Sequence, residues 1–310
     1  MTTTVERPAI PRAGTPGLRL IHSEIYKIFS TNTWWLFGIA SLVISGLALW
    51  ANLAEANYRL DEALNPMPFE APEGMPPEDL AQMQAQWAAD HDVHAQVIQA
   101  AGGIYTSGQF FGLLLVFLLT ALIMTNEFQY QTATATFLTT PRRTRVIVGK
   151  LIAGVSLAML FWFVTEAIDI ISGLLFFNAK GVGNGLDEWS VQRAILFNAL
   201  AYLMWAILGV GLGTLIRSQI GSIVTCMVVY LVGFAGTILV FQLIHEYLIK
   251  RDWVLTAAVS MPPIASQIMI SPTKLYEEAA TWWVGVLVML AWSVVAGGIG
   301  VLLTRRRDIS

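Results

Sequence analysis

Charged residues are scarce in this sequence. Asp, Glu, Lys and Arg together make up 13% of its 310 residues, against about a quarter in an average globular chain. Hydrophobic residues make up 55%, and the mean hydropathy is +0.62. A soluble core does not need that much apolar surface, so the composition argues against a soluble enzyme and indicates a membrane protein. The net charge of −3 removes the case for nucleic-acid binding through a basic surface.

Cysteine and the common catalytic motifs are also nearly absent. A single cysteine, Cys226, excludes an internal disulfide framework and a cysteine-based zinc site. No P-loop motif occurs, so the chain has no such loop to hold ATP phosphates, and the H-E-x-x-H and G-x-S-x-G motifs are missing. His91 and His94 lie three residues apart beside Asp90 and Asp92, a pattern more typical of surface residues than of a metal site. We predict no catalytic, cofactor or metal site on this chain.

Six apolar runs are long enough to cross a bilayer. About 20 helical residues cross roughly 30 Å of hydrocarbon. The runs lie at 34–54, 104–124, 151–177, 194–216, 220–244 and 281–303. Lipid offers no partner for an unpaired backbone amide, so all six must be helices. We predict an all-α integral membrane protein whose six transmembrane helices lie within residues 34–304.

The basic residues predict the orientation. With the N-terminus inside, twelve Lys and Arg residues fall on the cytoplasmic side and six on the outer side. Such an excess is typical of cytoplasmic loops, which predicts that both termini are cytoplasmic. Trp34, Trp35, Trp282 and Trp283 stand where helices should meet the headgroups.

Four segments lie outside the predicted spans. Residues 1–16 contain three prolines and predict a disordered tail, and residues 305–310 form a cytoplasmic tail. In residues 17–33, isoleucines recur at helical spacing while Glu24 and Lys27 fall on the opposite face, which predicts an amphipathic helix at the membrane interface. The outer loop, 55–103, has an irregular proline-rich middle at 65–77, with one or two helices after it.

The segment between the second and third spans predicts a short cytoplasmic helix at about 127–140. Asn126 is suited to cap it, Glu127 suits its positive end, and Pro141 stops it. The helix would present Phe128, Phe137 and Leu138 to a partner. The residues alone leave open whether this segment is instead a plain connecting loop.

Two carboxylates interrupt the third span. Glu166 and Asp169 lie three residues apart and therefore on one helix face. A carboxylate inside a bilayer costs a few kcal/mol unless it meets water, a partner or a proton, so the pair is a candidate translocation path; the alternative is a structural pair bonded to neighbouring polar groups. Gly209 and Gly213 in the fourth span predict close helix packing.

Taken together, the sequence resembles the membrane permeases of type-2 ABC exporters. Three stretches carry the resemblance: Glu127 to Lys150, with Thr132, the run 136–141, Arg142 and Gly149; the inner turn at 208–218; and the closing 305–308. The six-helix plan extends the likeness over nearly the whole chain. Gln131 departs from it, since the family usually has glycine there.

The resemblance implies a permease subunit without enzymatic activity. It would pair with a second copy or close relative and with two separate ATPase subunits, which would bind the ATP and Mg²⁺. The helix at about 127–140 would be the coupling helix that receives the ATPase stroke. Its coupling residues would be Glu127, Phe128, Thr132, Phe137, Leu138, Pro141 and Arg142. The cargo would be amphipathic or hydrophobic.

The expected location is the plasma membrane, and the lack of any N-x-[ST] sequon is compatible with a bacterial origin. The alternative function is an autonomous proton-coupled secondary transporter that uses Glu166 and Asp169. Many such folds contain internal repeats. We find no convincing repeat between the first three spans and the last three.

Overall fold

The computed structural model describes residues 16–72, 74–130, 143–216 and 218–306. The structure is 82% helical, and these residues contain no strand. The helices in chain order are α1 (Pro16–Phe29), α2 (Thr33–Leu64), α3 (Pro77–Asp90), α4 (Val93–Tyr105), α5 (Gln109–Gln129), α6 (Arg143–Lys180), α7 (Trp189–Leu215), α8 (Gln219–Met227), α9 (Gly233–Tyr247), α10 (Trp253–Ala257), α11 (Pro262–Ile270) and α12 (Trp282–Arg306). A π-helical turn, Val228–Val232, joins α8 to α9.

Six of the helical stretches are long and apolar enough to cross a membrane. They are Thr33–Leu64, Val93–Gln129, Thr144–Lys180, Trp189–Leu215, Gln219–Tyr247 and Trp282–Gly300. The prediction of an all-helical protein with six long apolar helices is confirmed. The fold therefore indicates a multi-pass membrane protein. The predicted tail at 1–16 lies almost wholly outside the described residues, as do 307–310 at the other terminus.

Much of the predicted outer loop is helical. We placed the end of the first span at residue 54, but α2 continues to Leu64. Its added turns bury Ala56 and Leu60 in a small apolar core that also contains Val97 and Ile104 of α4. The extension is stable because α4 covers this face, which the sequence of α2 alone does not reveal. Residues 65–76 are not helical where they are described, as their prolines predict.

The second span is broken where it joins the outer segment. The chain turns between α4 and α5, and Gly108 there adopts a φ of +71°. A Cβ at this position would also lie 2.5 Å from the Cα of Ser45 in α2. Only glycine satisfies both the left-handed backbone and the close approach of α2.

A seventh, bent apolar unit was missed in the sequence. The stretches Trp253–Ser260 and Pro262–Ile270 meet at an angle of 103°. Pro262 and Pro263 open α11, where proline is tolerated because the first amides of a helix have no intrahelical partner. Every residue of α11 except Gln267 is buried. Each arm is too short to cross a bilayer alone, so no window of span length revealed it.

Helices α5 and α7 form the centre of the bundle, and they approach each other closely. A Cβ on Gly209 would lie 2.6 Å from the backbone oxygen of Phe117, and one on Gly213 would lie 2.7 Å from that of Ala121. The prediction that these two glycines allow close helix packing is therefore confirmed.

Candidate functional site

Four charged side chains meet where α1 packs against the end of α5 and the start of α6. Lys150 Nζ lies 2.7 Å from Glu24 Oε2 and 2.9 Å from Glu127 Oε1. Lys27 Nζ lies 2.7 Å from Glu24 Oε1 and 3.2 Å from Glu127 Oε1. Each carboxylate thus contacts both ammonium groups. We call Glu24, Lys27, Glu127 and Lys150 the four-charge cluster.

The cluster is mostly buried and has no net charge. The side chains of Lys150 and Glu24 are each 2% exposed and that of Glu127 is 8% exposed, whereas Lys27 is 47% exposed. Burying an unpaired charge is costly, and only close opposite charges with good hydrogen bonds offset that cost. Burial lowers the pKa of Lys27, but the hydrogen bonds and charges of Glu24 and Glu127 outweigh it and raise the pKa above its ordinary value. Lys27 therefore stays charged across the physiological range.

Helix α1 carries Glu24 into the bundle on its apolar side. We expected Glu24 on the polar face, but it is buried, as is Ile28 one turn later. The position is three residues after Ile21 and four before Ile28, so it lies within the apolar stripe. The spacing therefore indicated a buried position, but we assigned Glu24 to the polar face because its side chain is charged. Lys150, its partner, was noted only as part of a motif and as one of the twelve basic residues on the cytoplasmic side.

Glu127 does not open a new helix, and that expectation was wrong. Asn126 and Glu127 lie in the last turn of α5, which continues to Gln129. The carboxylate is thus near the negative end of a helix dipole, and the two lysines compensate it. Phe128 lies half-buried in the same turn.

The remainder of the predicted coupling helix, residues 131–140, lies outside the described residues. The same is true of five predicted coupling residues: Thr132, Phe137, Leu138, Pro141 and Arg142.

A cavity of about 310 Å³ adjoins the four-charge cluster. Lys27, Glu127 and Lys150 line it together with Thr31 and Tyr130. Tyr130 is largely exposed and immediately precedes residues 131–142, which lie outside the described part of the chain. The cavity therefore lies beside the point where the connecting segment begins.

Glu166 and Asp169 occupy a second polar site, between α6 and α7. Both are buried, which agrees with their predicted position on one helix face. Asn198 Nδ2 donates a hydrogen bond of 2.8 Å to Glu166 Oε2. The other Glu166 oxygen, Asp169 Oδ1 and Asn198 Oδ1 are buried without a hydrogen-bond partner. Within the described parts of the chain no Lys or Arg forms an ion pair with either carboxylate.

Asn198 was not identified from the sequence. The feature that could have indicated it is a single side-chain amide within the apolar run of α7, since the buried Glu166 carboxylate needs a hydrogen-bond donor. The two histidines considered for a metal have other contacts: His91 stacks on Trp87, and His94 lies 3.4 Å from Glu188.

No protein-family model and no curated protein matches this chain. The six long apolar helices indicate a multi-pass membrane protein, and a buried ion-pair cluster lies at one end of the helix bundle.

Proposed function

We propose that this chain is the membrane-spanning permease subunit of an ATP-driven exporter of the type-2 ABC class. Separate ATPase subunits bind at the end of the bundle that carries the four-charge cluster, and a second copy or close relative completes the transporter. The cluster is the observation that carries the proposal. It joins the amphipathic helix α1 to α5 and α6, at both ends of the segment that resembles the family's coupling region.

The four-charge cluster is suited to transmit a movement of the connecting segment to the helices around it. Residues 131–142 connect α5 to α6, and each of these helices contributes a member close to that connection, Glu127 and Lys150. Buried ion pairs with several hydrogen bonds have strict geometry, so a displacement of one partner moves the others or breaks the contacts. A force on the connecting segment would therefore reach α1, α5 and α6 together. Such a two-state movement would switch the paired permeases between inward-open and outward-open forms.

The proposal also includes the orientation of the chain, its location, its partners and its cargo. Both termini are cytoplasmic, α1 lies at the inner membrane interface, and the protein resides in the plasma membrane of a bacterium. ATP and Mg²⁺ bind to the partner ATPases. Large apolar side chains are exposed along α2, α9 and α12, which suits contact with lipid and with a second copy. The cargo is amphipathic or hydrophobic.

Glu127→Gln tests the coupling role. The substitution keeps the size and hydrogen-bonding capacity of the side chain but removes its attraction for Lys27 and Lys150. We expect transport and partner-stimulated ATP hydrolysis to fall together by about five- to tenfold, within the usual range of coupling energies. Both activities are measured in proteoliposomes containing the co-purified complex.

Glu62→Gln is the matched control for Glu127→Gln, since Glu62 is exposed near the far end of α2. It should leave both activities unchanged. Full activity of Glu127→Gln with full ATPase binding would show that the cluster only stabilises the fold.

Single cysteines test the orientation. The buried Cys226 is replaced by serine first, and cysteine is then placed at Gln84 in α3 or at Ser30 after α1, both exposed positions. In intact cells an impermeant thiol reagent should label Gln84→Cys and leave Ser30→Cys unlabelled, because the distribution of basic residues predicts a cytoplasmic α1. The opposite pattern would reverse the orientation and move the four-charge cluster away from any cytoplasmic ATPase.

A proton-coupled secondary transporter is the second candidate function. The buried Glu166 and Asp169, whose unpartnered oxygens have no described counter-charge, favour it. Glu166→Gln distinguishes the two candidates. In an ABC exporter it should change transport or cargo preference and leave ATPase binding intact. In a proton-coupled transporter it should abolish uptake that a pH gradient drives without any ATPase.

A further inference from the structure

A cavity of about 410 Å³ lies between α9 and the bent unit formed by α10 and α11. Most of its wall is apolar, and it includes the aromatic rings of Phe234, Phe241 and Tyr276. Glu278 contributes the acidic group of the wall. A mainly apolar cavity with a few convergent polar groups is the usual form of a small-molecule site.

The loop that carries Glu278 is tied to the bent unit. Thr256 Oγ1 donates a hydrogen bond of 2.8 Å to the backbone oxygen of Glu278. Tyr276 Oη donates to the backbone oxygen of Leu255 at 3.4 Å, and the amide of Ala279 donates to the backbone oxygen of Tyr276 at 2.9 Å. These contacts hold Tyr276 and Glu278 at one edge of the cavity.

Glu278 lines the cavity, and its charge has no described cationic partner. Burial raises the pKa of Tyr276, and the negative charge of Glu278 raises it further. The nearby Lys274 donates instead to the backbone oxygen of Glu277, at 3.2 Å. In the parts of the chain that the structure describes, no Lys or Arg lies within ion-pair distance of Glu278.

The chemistry of these groups selects a ligand. Aromatic faces attract cations and bind apolar surface, and a half-buried carboxylate favours a positive charge and disfavours a negative one. Phe241 also borders a second cavity of about 650 Å³, whose wall is almost wholly apolar, so additional apolar surface adjoins the site. We propose that the cavity beside Glu278 binds an apolar organic cation. The cation's role as transported cargo rests on the proposed function, but its binding does not.

Equilibrium binding of radiolabelled tetraphenylphosphonium to the full chain in lipid nanodiscs tests the site. Binding of its anionic counterpart of similar shape, tetraphenylborate, is measured in a separate sample, because the two ions pair with each other in solution. Saturable binding is expected for the cation and not for the anion. Glu278→Gln should weaken binding by about tenfold, since charge-assisted contacts contribute more than neutral ones. Glu277→Gln, the neighbouring carboxylate outside the cavity wall, should change it less than about twofold.

A second variant tests the space in the cavity and leaves the charge of Glu278 in place. Ala258 is buried and lines the cavity, so Ala258→Phe should fill the space and reduce binding while Glu278 remains. Far-ultraviolet circular dichroism and a thermal melt report the fold of each variant. Binding that is unsaturable, or that Glu278→Gln and Ala258→Phe both leave unchanged in folded protein, would overturn the proposal.

The same preparation distinguishes the site from the proposed function. Cation binding that needs Glu278, without ATP-driven transport when the partner ATPase is present, would support the site and count against the exporter. Partner-dependent ATP hydrolysis without cation binding would overturn the site and leave the exporter standing.

Discussion

Replacing Lys150 with methionine is expected to lower the free energy of unfolding by about 3–5 kcal/mol, the usual cost of leaving a buried charge without its partner. Methionine has a similar length but no charge, so Glu24 and Glu127 would both lose their shared buried ammonium group. Lys27 would remain near them, but its side chain is half-exposed. Unfolding of the purified protein in mixed micelles, followed by tryptophan fluorescence, measures the change.

Lys27→Met is the matched control for this prediction. It removes the same kind of group from the same two carboxylates, but from a half-exposed position that water reaches, so it should lower the free energy of unfolding clearly less than Lys150→Met does. Adding Glu127→Gln to Lys150→Met should restore part of the lost stability, because one uncompensated carboxylate is removed. Equal effects of the two lysine substitutions would contradict the buried arrangement of Lys150.

Gly209→Ala and Gly213→Ala are each expected to destabilise the bundle by about 1–3 kcal/mol or more, the usual cost of overpacking. A methyl group on Gly209 would lie 2.0 Å from Thr120 Oγ1 and 2.6 Å from a backbone oxygen of α5. The contact of Gly213 is also with α5 backbone. Backbone atoms cannot rotate away as a flexible side chain does, so α5 and α7 would have to separate. The thermal midpoint in detergent and the monodisperse fraction after extraction measure the effect.

Gly298→Ala is the control for the glycine substitutions. Gly298 also lies inside a long apolar helix, α12, but a Cβ there would have no atom within 4 Å. The free energy of unfolding of the Gly298→Ala variant should stay the same or rise by up to about 1 kcal/mol, because alanine favours the helix more than glycine does. Wild-type midpoints for both Gly209→Ala and Gly213→Ala would show that α5 and α7 do not approach as closely as the structure has them.

The sequence predicted the features that the bilayer imposes directly. Lipid requires helices of a certain length, so six apolar runs predict six long helices. Small residues four apart predict a close helix contact, and Gly209 and Gly213 provide one. Glu166 and Asp169 were predictable as a pair because helical spacing alone places them on one face.

Features that depend on which helices meet were not predictable. Glu24 and Lys150 are 126 positions apart, and nothing local to either residue indicates the other. Glu127 was misplaced because the local preferences of Asn126 and Glu127 for a helix start were outweighed by the continuing turns of α5. The bent unit at Trp253–Ile270 was missed because neither arm is long enough to cross a bilayer.

ATP hydrolysis by the purified chain, with and without its ATPase partner, tests the central proposal most directly. The proposal predicts no hydrolysis by the chain alone, and hydrolysis together with cargo transport once the partner is reconstituted beside it in proteoliposomes. Robust hydrolysis by the isolated chain would contradict the proposal. Cargo accumulation driven by a proton gradient in the absence of any ATPase would also contradict it.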